Sequence, residues 1–196
     1  MVKKCELLIQ NAAVMTDYQT IRKGMDVAVG DGKILAVFPH GEEEWEGKEI
    51  LSGKDRVFMP GLIDSHMHTG QQLLKGLVLD ARPVIWTRVM LPFESTLTPE
   101  RMKLSAGLAA LEMIRCGTTG FVESGSYYME EAAAVYEKSG LRGRLSCSTM
   151  DEPGLPPSIA MDGEEAVRRM DRLYEDWNGR GNLKVYYSLR ALNSCS

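Results

Sequence analysis

A chain of 196 residues, 44% hydrophobic and 26% charged, has the makeup of an ordinary globular protein with room for one good core. Its net charge of −4 comes without the clustered basic face that a nucleic-acid partner needs, and no apolar run reaches membrane-spanning length, so neither partner is expected. Cys5, Cys116, Cys147 and Cys195 are far apart and form no Cys-x-x-Cys pair, which argues against a zinc ribbon or a disulfide framework; Lys3, Lys4 and Glu6 make the N-terminus too charged for a signal peptide, and the expected compartment is cytoplasmic.

In chain order, residues 5–14 predict a strand with Cys5, Leu7 and Ile9 on one face. Met25, Val27 and Val29 alternate with Asp26 and Ala28, and Gly30-Asp31-Gly32-Lys33 signals a hairpin into Ile34-Leu35-Ala36-Val37-Phe38. Residues 41–49, acidic with Gly and Lys, read as a solvated loop or edge. His40, beside Pro39, reads as a surface loop residue with no tie to the histidines downstream. Residues 1–59 are thus an all-β unit.

The apolar run Val57-Phe58-Met59, then Leu62-Ile63, leads into Asp64-Ser65-His66-Met67-His68. On a strand, the one-residue spacing puts both imidazoles on one face, where they can share a zinc-like ion. The plain alternative is a surface His pair at a strand end. The whole stretch Pro60-Gly61-Leu62-Ile63-Asp64-Ser65-His66-Met67-His68 resembles the opening barrel strand of the amidohydrolase superfamily. The resemblance runs on through Leu73-Leu74-Lys75-Gly76, Trp86, Pro92-Phe93-Glu94, Leu97-Thr98-Pro99-Glu100 and Glu112 to Thr119, in the order of the metal-dependent deaminase and chlorohydrolase branch.

After residue 60 the pattern changes to alternating strand and helix, as in a parallel sheet with covering helices. Thr98 is a helix N-cap with Pro99 at the first helical position; Leu104, Leu108, Leu111 and Ile114 follow at helical spacing, and Gly117 is the stop. Residues 118–123 read as a strand, 129–139 as a helix closed by Gly140, and 144–150 as the next strand. Asp162 with Glu165 starts a third helix that carries Val167, Met170, Leu173, Tyr174 and Trp177 inward to Gly179, and 183–189 read as a fourth strand.

The fold expected is α/β: N-terminal β-sandwich strands over 1–59, then over 60–196 the first half of a TIM-type (β/α)8 barrel, about four β/α units where a full barrel takes about 250 residues. The resemblance places the start of the helix toward the fifth strand at Asn193-Ser194-Cys195-Ser196. It also implies further ligands, two His and an Asp from later strands, and a general base downstream of Ser196, so no catalytic acid or base is assigned within 1–196. On this reading the chain is an N-terminal portion whose partner is the missing C-terminal half; homo-oligomerisation is compatible with it.

The resemblance implies metal-assisted hydrolysis of a non-peptide carbon–nitrogen bond: deamination of an aminated purine-, pyrimidine- or triazine-like heterocycle, with one divalent metal, Zn2+ or Fe2+, held by His66 and His68. A second metal would need a carboxylated Lys where Ser188, Leu189 and Arg190 stand. Arg190 at the fourth strand end is a candidate substrate contact, set against a surface Arg. Trp86 is a candidate pocket wall, set against a core indole, and Glu123 a candidate substrate-facing acid, set against a salt-bridged or solvated strand-end residue. The alternatives are a cyclic amidase or chlorohydrolase of the same superfamily, or a non-catalytic binding protein.

Overall fold

The computed structural model describes residues 2–78, 80, 82–191 and 194–196. Asn193, read above as part of a helix start, lies outside them. Two compact units form, Met1–Pro60 and Gly61–Ser196.

In the first unit, β1 (Lys3–Met15), β2 (Ile21–Gly30), β3 (Lys33–Pro39), β4 (Trp45–Ser52) and β5 (Val57–Phe58) make one sheet of order β3-β2-β1-β4, with β5 also on β1. The sandwich strands expected here are therefore a single five-stranded sheet among the described residues. The reason is the thirteen-residue β1, which takes β2 antiparallel along one edge and both β4 and β5 parallel along the other. Asp31 and Gly32, both at positive φ, make the tight turn between β2 and β3. The acidic segment resolves as an edge: β4 is a strand whose Glu46 pairs with Lys4, the charged rim that discourages further strand pairing. Leu7 and Ile9 share a face as expected, but Cys5 joins Leu8 around Phe38, whose ring stacks on Trp45 with centroids 6.1 Å apart. His40 is half-exposed, yet its Nδ1 lies 2.8 Å from buried Asp26, which also accepts the Asn11 N–H at the β1 bulge.

The second unit is an all-parallel sheet of order β6-β7-β8-β9, built from β6 (Leu62–Met67), β7 (Thr118–Glu123), β8 (Arg142–Leu145) and β9 (Leu183–Val185). After β6 come a 3-10 turn (Thr69–Leu74), a π-helical turn (Trp86–Met90) and the short α1 (Leu91–Glu94). The crossovers are α2 (Pro99–Arg115), α3 (Met129–Ser139) and α4 (Gly163–Trp177). Thr98 caps α2 by accepting the Arg101 N–H, and Asp162 caps α4 by accepting the Glu165 N–H at 2.7 Å. Phe121, Leu145 and Leu183 of the sheet pack against Ala106, Ala109, Tyr136 and Met170 of the helices. Among the described residues, no helix is long and apolar enough to cross a membrane.

The leucine stripe of α2 faces outward, and one face of α4 differs from the sequence reading. In α2 the buried side is Met102, Ala106, Ala109, Ala110 and Met113, while Leu104, Leu108, Leu111 and Ile114 are exposed. The alanines let the helix lie close to its neighbours, and α2 and α3 pack side by side through this small-residue face. In α4, Met170, Leu173 and Trp177 are buried as expected, but Val167 and Tyr174 are exposed. Two strands are shorter than predicted: β8 starts at Arg142 and both it and β9 end early. Beyond Leu145, hydroxyl side chains take over: Ser146 Oγ lies 2.6 Å from Ser188 Oγ, and the Thr149 hydroxyl donates to the Ser188 carbonyl at 2.9 Å.

Candidate functional site

His66 ends the exposed part of β6, its N–H donates to the Asp64 carboxylate at 3.1 Å, and the register with β7 shifts between Asp64 and Met67. The rings of His66 and His68 are 5.1 Å apart between centroids and nearly perpendicular, at 84°. Two imidazoles this close are near enough to be ligands of one ion, whose His nitrogens sit at about 2.0–2.1 Å.

Each ring is held through Nδ1. The His66 Nδ1 lies 3.0 Å from Ser124 Oγ, and the His68 Nδ1 lies 3.3 Å from the Gly125 carbonyl. A carbonyl only accepts, so His68 carries its proton on Nδ1 and keeps the Nε2 lone pair free. Gly125 is at φ +103, and a Cβ there would sit 2.9 Å from the Cys147 carbonyl, so only glycine lets this peptide face His68.

Glu123 lies beneath His68 with no exposed surface, 3.9 Å from its Nδ1. It is neither a solvated acid nor a group facing open space: its carboxylate accepts the Thr69 N–H at 2.7 Å, the Thr69 hydroxyl, and the Ser126 hydroxyl at 2.9 Å. Burial pushes its pKa up to about 7 against the pull of these donors, and burial together with the Arg190 charge brings His68 down to about 4.

His68, Gln71, Trp86, Met90, Arg190 and Ala191 line one cavity of about 410 Å³, which brings Trp86 and Arg190 beside His68. Trp86 also packs against the Leu91, Tyr127 and Met150 cluster, so it is at once core and cavity wall. Arg190 is not a surface residue. Its side chain is 6% exposed, and the guanidinium pairs with Glu94 at 3.0 and 3.3 Å and donates to the Gly125 carbonyl. Glu94 is itself buried and accepts from Gln71 Nε2 at 2.7 Å. Glu94, Gln71, Gly125, Thr69 and Ser126 had no assignment from sequence. Glu94 and Arg190 meet across 96 positions, and no local spacing announces such a pair.

The two imidazoles are a nitrogen donor set suited to zinc and its relatives, so the residues present fit such an ion. Among the described residues, no group of three or more His, Cys, Asp or Glu converges to hold one. In the metal-free protein, histidine ring NMR should show His68 neutral down to about pH 4; a midpoint near 6.5 would contradict its burial beside Arg190.

Residues 57–185 match the Amidohydrolase family. The chain is 33% identical over 197 residues to a 5'-deoxyadenosine deaminase of Methanosarcina mazei, covering 97% of this chain and 44% of that protein. It is 31% identical over 187 residues to a 5-methylthioadenosine/S-adenosylhomocysteine deaminase of Halothermothrix orenii, covering 92% of this chain and 41% of that one. The crystal structure of an adenosine deaminase from Xanthomonas campestris with bound zinc superposes with a TM-score of 0.83 at 27% identity, over 94% of this chain and 43% of that one. The chain thus spans less than half the length of these relatives. With the histidine pair placed at the end of the first parallel strand and the family match running over most of the length, this chain belongs to the amidohydrolase family.

Proposed function

We propose that this chain supplies the first half of a metal-dependent deaminase, acting on an aminated heterocycle of the adenosine type, and that β6 to β9 are the first four strands of an eight-stranded barrel. The observation that carries the reading is the His66/His68 pair, two imidazoles 5.1 Å apart beside the cavity walled by Trp86 and Arg190. The names of the similar proteins support the substrate class: 5'-deoxyadenosine, 5-methylthioadenosine/S-adenosylhomocysteine and adenosine deaminases.

His66 and His68 would hold the ion through the nitrogens not engaged by Ser124 and Gly125. When bound, a divalent ion, Zn2+ or Fe2+, supplies an activated water at neutral pH. The Trp86 indole offers a flat apolar surface to a planar ring. Arg190, fixed by Glu94 and Gly125, presents a cation that cannot swing away, and Gln71 is held on the same wall by Glu94. The remaining ligands and the group that moves the proton onto the leaving ammonia would come from the later strands.

The experiment is an ammonia-release panel on the completed barrel, read by a coupled glutamate dehydrogenase assay across adenosine-type nucleosides, free purines, pyrimidines and triazines. Release from the adenosine-type members is expected. Chloride release without ammonia, or turnover of cyclic amides alone, would overturn deamination.

A further inference from the structure

Beneath the histidine pair lies a polar cluster that the proposed chemistry does not use. Glu123, Thr69 and Ser126 are each at most 2% exposed, and Tyr136 is fully buried. Their donors and acceptors close on one another. The Thr69 N–H, Thr69 hydroxyl and Ser126 hydroxyl all point to the Glu123 carboxylate. With the Thr69 hydrogen committed there, the Tyr136 hydroxyl donates to Thr69 Oγ1 at 2.8 Å. The Gly70 N–H donates to Ser126 Oγ at 3.3 Å, and the Ser105 hydroxyl of α2 donates to the Thr69 carbonyl at 2.6 Å.

The positions of these residues give the cluster its meaning. Thr69 directly follows His68, and Ser126 directly follows Gly125, whose carbonyl receives the His68 Nδ1–H. One carboxylate therefore grips the chain on both sides of the His68 contact. A buried acid is costly unless its oxygens are satisfied, and here they are satisfied by the two segments whose relative position sets the ring.

We propose that Glu123 is a positioning residue, which through Thr69 and Ser126 locks the His68 ring with its proton toward Gly125 and its Nε2 free for a divalent ion. The metal role of His68 rests on the function proposed above; the locking of the ring does not.

Magic-angle-spinning NMR of the full chain labelled with 15N-histidine tests this, since it reads rings in soluble and sedimented protein alike and only three histidines contribute. The wild-type His68 should show a single tautomer, protonated at Nδ1. Glu123→Gln should give mixed tautomers, and in the completed barrel Zn2+ uptake at graded free Zn2+ should shift to concentrations about 10- to 100-fold higher, the range for outer partners of a ligand. Ser126→Ala, a milder change, should move both readouts in the same direction and covers the case in which Glu123→Gln fails to fold. Leu145→Ala, which removes a buried apolar side chain outside the hydrogen-bonded cluster around Glu123, should leave the tautomer alone.

A single unchanged tautomer in folded Glu123→Gln and Ser126→Ala would overturn the proposal, whatever the metal does. If the tautomer depends on Glu123 while the completed barrel takes up no Zn2+ through His68, the positioning stands and the metal reading falls. If Zn2+ uptake by the completed barrel needs His66 and His68 while the tautomer is indifferent to Glu123, the positioning falls and the metal reading stands.

Discussion

Residues 1–196 produced alone are expected to deaminate nothing and to associate through open sheet edges, and the addition of the remaining barrel strands should restore both a defined assembly and turnover. In the described sheet, β6 pairs only with β7 and β9 only with β8. Ile63 on β6 is 73% exposed and Leu62 52%, and unpaired strand edges template association. The outward stripe of α2 adds Leu104, Leu108, Leu111 and Ile114 to the uncovered apolar surface. At about 25 cal/mol per Å², burying a few hundred Å² of it would contribute several kcal/mol, comparable to the whole stability of a small domain. Light scattering and the ammonia assay check this on two proteins: residues 1–196, and a chimera in which they are followed by the segment beyond the match in the Methanosarcina mazei relative. A monodisperse monomer of residues 1–196 with a cooperative melt and deaminase activity would contradict it.

Loss of either strand-end histidine is expected to empty the metal site. In the chimera, His66→Ala or His68→Ala should bring bound zinc to background and turnover with it, a loss greater than the 10- to 100-fold typical of an outer partner. His40→Ala should leave both intact, since its ring is committed to Asp26 in the first unit. Elemental analysis beside the activity assay decides; full zinc content in both His66→Ala and His68→Ala would remove them from the metal site.

Much of this was legible in the sequence because it is local. The helix caps at Thr98 and Asp162 act within three residues, and the His-x-His spacing needs only one strand to align its rings. What depends on distant partners was not legible. The leucines of α2 have helical period but face outward, since periodicity finds a stripe without saying which stripe meets the core, and here alanines supplied the close-packing side. Arg190 could be placed at a strand end, but its fate was set by Glu94, 96 residues earlier. Glu123 looked like a strand-end acid because Thr69, whose N–H and hydroxyl close over it, lies 54 positions away. Past the ends of β8 and β9, backbone pairing is sparse and serine and threonine hydroxyls join the segments, contacts that the apolar content of the sequence does not announce.

The most direct test is an anomalous difference map at the zinc edge from crystals of the completed barrel. One principal peak is expected about 2.0–2.1 Å from a ring nitrogen of both His66 and His68, with the His68 Nδ1 still facing Gly125. A zinc peak elsewhere, with both imidazoles uncoordinated, would contradict it.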